Sequence, residues 1–147
     1  MEILKILSQT KSETLPLFDL SADALAKSCD PGRWNIKKIL VHLADAEGVL
    51  HERIKRVIAE PKQVIWAFEQ GLWCSALDYE TFPLELSSSL FSANRDSIIY
   101  LAGKFYESHG NREFIHSQTG SRMLKDEFDK VALHNQSHLN QIKQALR

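Results

Sequence analysis

The sequence is poor in residues that interrupt or cross-link a chain. It has two cysteines, Cys29 and Cys74, far apart and outside any CxxC pattern. A disulfide framework and a thiolate zinc site are thereby disfavoured, and a cytoplasmic location is the expectation. Each cysteine reads as a small, partly buried apolar residue. Only four prolines and six glycines punctuate the 147 residues. No window approaches the ~20 apolar residues of a membrane span. The opening stretch, Met1 to Leu7, is amphipathic and lacks the charged lead, long apolar run and small-residue cleavage site of a secretory signal. The net charge is −1 and no dense basic run occurs, which argues against nucleic acid or an anionic membrane as partner. Strict two-residue alternation is nowhere sustained, so a β-sheet is a poor expectation. No repeat at a period of 20–50 residues suggests a solenoid.

What is present fits one globular domain spanning residues 1–147. The chain is 44% hydrophobic and 25% charged, and it is long enough to bury a core without cross-links. A first helical segment, about residues 2–18, carries Ile3, Leu4, Ile6, Leu7, Leu15 and Leu17, with Pro16 limiting its regular run. A short piece from Ser21 to Ser28 leads into Asp30-Pro31-Gly32. The second helix starts at the N-cap Asn35 and bears one apolar stripe from Ile36 through Leu40, Leu43, Leu50 and Ile54 to Ile58, ending before Pro61. The connection from Pro61 to Pro83 holds Ile65, Trp66, Phe68, Leu72, Trp73, Tyr79 and Phe82. It is too apolar to be a free linker and reads as ordered, with a short helical turn. A third helix, about residues 84–108, a polar loop through Gly120, and a fourth helix, about residues 121–146, complete an all-α four-helix bundle.

The chemistry is concentrated in histidines. His134 and His138 are four apart, so on a helix their side chains lie about 40° apart, one turn above each other. On the wheel they adjoin the stripe of Val131, Asn135 and Ile142. HxxxH alone is a weak signal, because paired histidines also arise by chance. His42, at the edge of the second helix's apolar stripe, strengthens it. If those two helices pack together, three neutral imidazoles converge at bundle depth. Three nitrogen donors leave coordination positions open, as a catalytic rather than a structural site does. Imidazole suits Ni, Zn and Fe alike, so the donors do not name the divalent metal. His51, His109 and His116 read as unrelated, the last two as solvated.

Two carboxylates stand near this cluster. Glu47 falls near the middle of an apolar face, and so does Asn135. A carboxylate there must be paired or neutralised. Glu47 reads either as an ion pair with Arg95 or Arg53, or as a base near the metal that orients a ligand imidazole. Asp45, one turn from His42, is the rival for the orienting role.

Through these residues and their neighbours, the chain resembles the DinB/YfiT-like family of metal-binding four-helix bundles. One block is Gly32-Arg33-Trp34-Asn35 followed by Leu40-Val41-His42-Leu43-Ala44-Asp45-Ala46-Glu47. The other is Leu133-His134-Asn135-Gln136-Ser137-His138-Leu139-Asn140-Gln141-Ile142. Asn94-Arg95 and Gly120 between them also fit, so the resemblance runs over nearly the whole chain. It departs at Asn35, where serine is usual, and at Lys38, where an acid is common. The resemblance implies His42, His134 and His138 as metal ligands. It also implies an enzyme that activates a low-molecular-weight thiol on an electrophilic small molecule, as the family's thiol S-transferases do. Trp66, Phe68 and Trp73 then wall an acceptor pocket, or else simply pack over the bundle. A metal-dependent hydrolase is the close variant, and a non-catalytic metal-binding stress-response module acting through a homodimer is the competing class. A deep pocket at the metal favours an enzyme; a metal sealed by side chains favours the module.

Elemental analysis of untagged protein beside its His42→Ala variant tests the triad. Near-stoichiometric Ni, Zn or Fe is expected in the parent and should be absent from the variant.

Overall fold

The computed structural model describes residues 1–60 and 64–147, and its frame is four long helices. In chain order the elements are α1 (Glu2–Thr14), the short α2 (Ala22–Leu25), α3 (Ile36–Ala59), β1 (Val64–Ile65), α4 (Gln70–Ala76), α5 (Leu84–His109), β2 (Glu113–His116), β3 (Gly120–Met123) and α6 (Leu124–Leu146). Pro16 ends α1 as expected, and the chain continues as a 3-10 turn over Leu15–Asp19. The Asn35 side chain caps α3 by accepting from the Lys38 N–H at 2.9 Å. Both α3 and α1 pack against α5 and α6, which sets α1 and α3 at opposite corners of the bundle. No helix among the described residues is long and apolar enough to cross a membrane.

Apolar stripes bury two clusters. One gathers Leu7, Leu50, Ile54, Ile98, Phe128 and Val131; the other gathers Phe18, Leu40, Leu43, Phe91 and Ile142. On every long helix the residues between these clusters are polar: Thr10 and Thr14 on α1, Glu47 on α3, Arg95 on α5 and Asn135 on α6, all buried. Arg95 joins them. Its Nε and Nη2 donate to the two Glu47 oxygens, and Nη2 also donates to Asn135 Oδ1 at 2.7 Å. Nη1 donates to Leu7 O at 2.9 Å and to Thr10 Oγ1 at 2.8 Å, so all five guanidinium N–H groups are met. Asn135 in turn donates to Thr14 Oγ1 at 2.9 Å. Of the two partners the sequence left open for Glu47, the fold selects Arg95. A lesser clasp joins α3 to α5, where His51 bonds Asn94 Oδ1 at 2.8 Å and Ser97 Oγ at 2.7 Å.

The connections differ from the sequence expectation. A three-stranded sheet exists, in the order β1-β2-β3, with β1 parallel and β3 antiparallel to β2. Strands of two to four residues are too short to display an alternation. The expected polar loop before Gly120 is therefore mostly a β-hairpin, and α6 starts at Leu124 because Gly120–Met123 pair with β2. Gly110 lets α5 end directly against α6: a Cβ there would sit 2.2 Å from Tyr106 O, and Gly110 O accepts from the Lys125 N–H at 3.0 Å.

Residues 61–63 of the expected apolar connection lie outside the described residues. The rest is ordered as expected, with its short helix α4, and it is anchored by the fully buried Tyr79. Its pairing to the sheet is specific. Val64 faces Ile115 and Ile65 faces His116; the Ser117 N–H donates to Ile65 O and the Ala67 N–H to Ser117 Oγ, each at 2.8 Å.

Breaking the buried cluster leaves an unpaired carboxylate between two apolar layers. Arg95→Met is expected to lower the unfolding free energy by about 3–5 kcal/mol, measured by urea denaturation followed by circular dichroism.

Candidate metal centre

The helical repeat places the three histidines before any contact is considered. His134 and His138 share one face of α6, and α3 lies against that face with His42 directed into it. The ring centroids of His42 and His134 are 4.9 Å apart, those of His42 and His138 4.9 Å, and those of His134 and His138 4.6 Å. One nitrogen from each ring lies within 4.8 Å of the other two. The Nε2 atoms of His42 and His134 are 2.9 Å apart. Two nitrogens each about 2.1 Å from a shared ion lie about 3.0 Å apart at a right angle, so this pair already has a ligand separation. The expected triad is thus assembled, and its donor chemistry fits a divalent transition metal.

The surroundings orient the rings. Gln141 Oε1 lies 3.0 Å from His138 Nδ1 and accepts its proton, which leaves the His138 Nε2 lone pair free. His42 is held by aromatic faces instead: Phe68 stacks on it at 5.8 Å and Trp34 meets it edge-on at 5.3 Å. Its Nδ1 is buried and has no hydrogen-bond partner among the described residues. Burial, and then the neighbouring histidines, push His42 down to about 3. Burial first, then the charges of His138, Lys130 and Arg95, push His134 down to about 4, and burial lowers His138 as well. His42 and His134 therefore stay neutral, the form that binds metal, well into the acid range, and His138 is shifted in the same direction.

The two carboxylates sit elsewhere. Glu47 is committed to Arg95, and burial pushes its carboxyl upward against that partner's pull. Asp45 accepts from Tyr79 Oη at 2.5 Å. Neither makes a hydrogen bond with the three imidazoles among the described residues. Trp66 is 77% exposed, whereas Trp73 packs edge-on against Phe68 at 4.6 Å. Both line a cleft of about 710 Å³ that holds none of the triad histidines.

A separate chamber of about 190 Å³ opens on two of the three histidines, lined by His42 and His134 together with Arg53, Phe68, His116, Gln118 and Lys130. Sequence reading named Phe68 as a pocket wall and missed the other neighbours. His116, expected to be solvated, is only 6% exposed. Two of the others carried a signal: Lys130, His134 and His138 recur every four residues on α6, and Arg53 lies about 20° around α3 from His42. His116 had none, because strand pairing with β1 is what buries it.

The family model of the DinB superfamily matches residues 6–142. Two proteins of Oceanobacillus iheyensis, each named a "putative metal-dependent hydrolase", are 27% identical over 127 residues and 29% identical over 126. Each alignment covers 86% of this chain and 73% of the relative. The solved structure of YfiT from Bacillus subtilis is described as a probable metal-dependent hydrolase with an unusual four-helix bundle topology. It superposes with a TM-score of 0.88, covering 98% of this chain and 83% of YfiT at 18% identity, so the fold is shared.

The depressed histidines make metal-free stability depend on pH. Below about 6.5 the unfolded chain takes up protons that the folded imidazoles refuse until about 4 or 3. Chelator-treated protein should be fully stabilised by these groups above pH 6.5 and lose that stabilisation as the pH falls toward 4. Denaturant titrations at a series of pH values should show this slope, and a shallower one in His134→Ala.

Proposed function

The chain belongs to the DinB superfamily, and from that premise we propose that it is a metal-dependent hydrolase of a small molecule. The observation that carries this reading is the chamber beside the triad. His42 and His134 form part of its wall, so a bound ion is accessible from a protein-lined space rather than sealed by side chains. An ion held by His42, His134 and His138 would supply Lewis acidity toward a water or a substrate oxygen. The chain's own part is to hold three neutral donors, to fix His138 through Gln141, and to pack Phe68 and Trp34 against His42. The names of the relatives favour hydrolysis over the thiol transfer expected from sequence.

Thiol transfer is the second reading, and one observation supports it. Folding brings Arg53 and Lys130 to the chamber, supplying the cationic contacts that a thiol cofactor's carboxylates need and that sequence order did not display. The two reactions share a metal requirement and differ in co-substrate.

Protein stripped by chelator and reloaded separately with Zn, Ni or Fe should be assayed on a panel of small esters and amides. A parallel series should pair thiols with an electrophile. Metal-restored hydrolysis that His134→Ala abolishes, with no thiol requirement, is the expected result. Turnover only with a thiol would transfer the assignment, and no turnover in either series would leave the metal-binding module.

A further inference from the structure

The chamber wall facing the triad has its own chemistry. His116, on β2, uses Nδ1 to accept the backbone N–H groups of Gln118 at 3.1 Å and Thr119 at 3.3 Å. An imidazole whose Nδ1 is an acceptor carries its proton on Nε2. That N–H has no partner among the described residues, on a ring that lines the chamber. Lys130, half-buried on α6, also lines the chamber and forms no hydrogen bond or ion pair among the described residues.

Arg53 completes this wall. Its Nη2 donates to Trp66 O at 2.7 Å, and its Nη1 lies 3.7 Å from Glu127. Arg122, on β3, approaches the same carboxylate at 4.0 Å. Among the described residues the charges in mutual range are thus Arg53, Arg122 and Lys130 against Glu127, a surplus of positive charge around a small, partly enclosed space. Burial first, then those cations, lowers the His116 pKa, which keeps it a neutral donor. Lys130 therefore shares Glu127 with two arginines, and a ligand anion would offset the surplus charge.

We propose that this wall is an anion subsite: Lys130 and the His116 Nε2–H, backed by Arg53, receive a carboxylate or phosphate group of the substrate while its reacting bond lies at the triad. The proposal deepens the hydrolase reading and rests on it only for what happens at the metal.

The test needs no turnover. Zinc-loaded protein is titrated with inorganic phosphate and, separately, with acetate. Binding is followed by NMR at the His116 ring nitrogens, in the parent and in Lys130→Gln, with zinc content checked in each. The expected result is saturable binding with a shift at His116, weakened about tenfold in Lys130→Gln at unchanged zinc content. Tighter binding of phosphate assigns phosphorylated substrates, and tighter binding of acetate assigns carboxylates. Equal affinity in the two proteins, no shift at His116, or no binding of either anion overturns the subsite. A protein that binds anions in this way but hydrolyses nothing would refute the hydrolase reading and leave the subsite standing.

Discussion

A buried guanidinium sets the geometry of this bundle. Arg95 is wholly removed from water, so each of its five N–H donors must find an acceptor or leave a costly unpaired group. The acceptors come from α1, α3 and α6, and Arg95 itself stands on α5. Apolar stripes alone tolerate sliding and rotation of packed helices, because dispersion contacts are non-directional. Five directed bonds do not. They select one relative height for the four helices. The same clamp places the candidate metal ligands, since Asn135 follows His134 directly on α6 and Glu47 lies little more than a turn beyond His42 on α3. A residue that touches no imidazole therefore governs how three imidazoles meet.

The bundle supplies the donors, and the connections supply what surrounds them. Pairing of β1 with β2 ties the chain after α3 to the chain after α5. That tie brings Phe68 over His42, aims Trp66 O at Arg53, and folds His116 against the same space. Without the small sheet, the triad would open onto irregular loops. With it, one side of the metal position is an aromatic cover and the other a wall of donors and cations. This division of labour suits the proposed catalysis: rigid helices would hold the metal, and shorter segments would present the groups that distinguish one substrate from another.

Much of this was legible in the sequence. Apolar periodicity located the four long helices to within a few residues. The i, i+4 spacing of His134 and His138 put both rings on one face, and His42 on the edge of its stripe pointed to the same centre. Glu47 on an apolar face announced a buried ion pair, though two arginines were equally eligible. The sheet was not legible, because two to four residues leave no periodic trace. Nor was the environment of His116, which pairs with a strand about fifty residues earlier in the chain. Asp45 looked well placed beside His42, but its hydroxyl partner is Tyr79 from the far connection.

Residue spacing alone was enough for the long helices of the bundle, their apolar faces and the candidate metal donors, because a helix converts spacing into direction through local geometry. Tertiary structure decided which arginine pairs with Glu47, that Gln141 and Phe68 hold the ligand rings, and that His116, Lys130 and Arg53 share one chamber. Those outcomes depend on contacts between residues far apart in the chain. Such contacts are settled only when the cost of burying a charge or a polar group is met by a partner that another element carries.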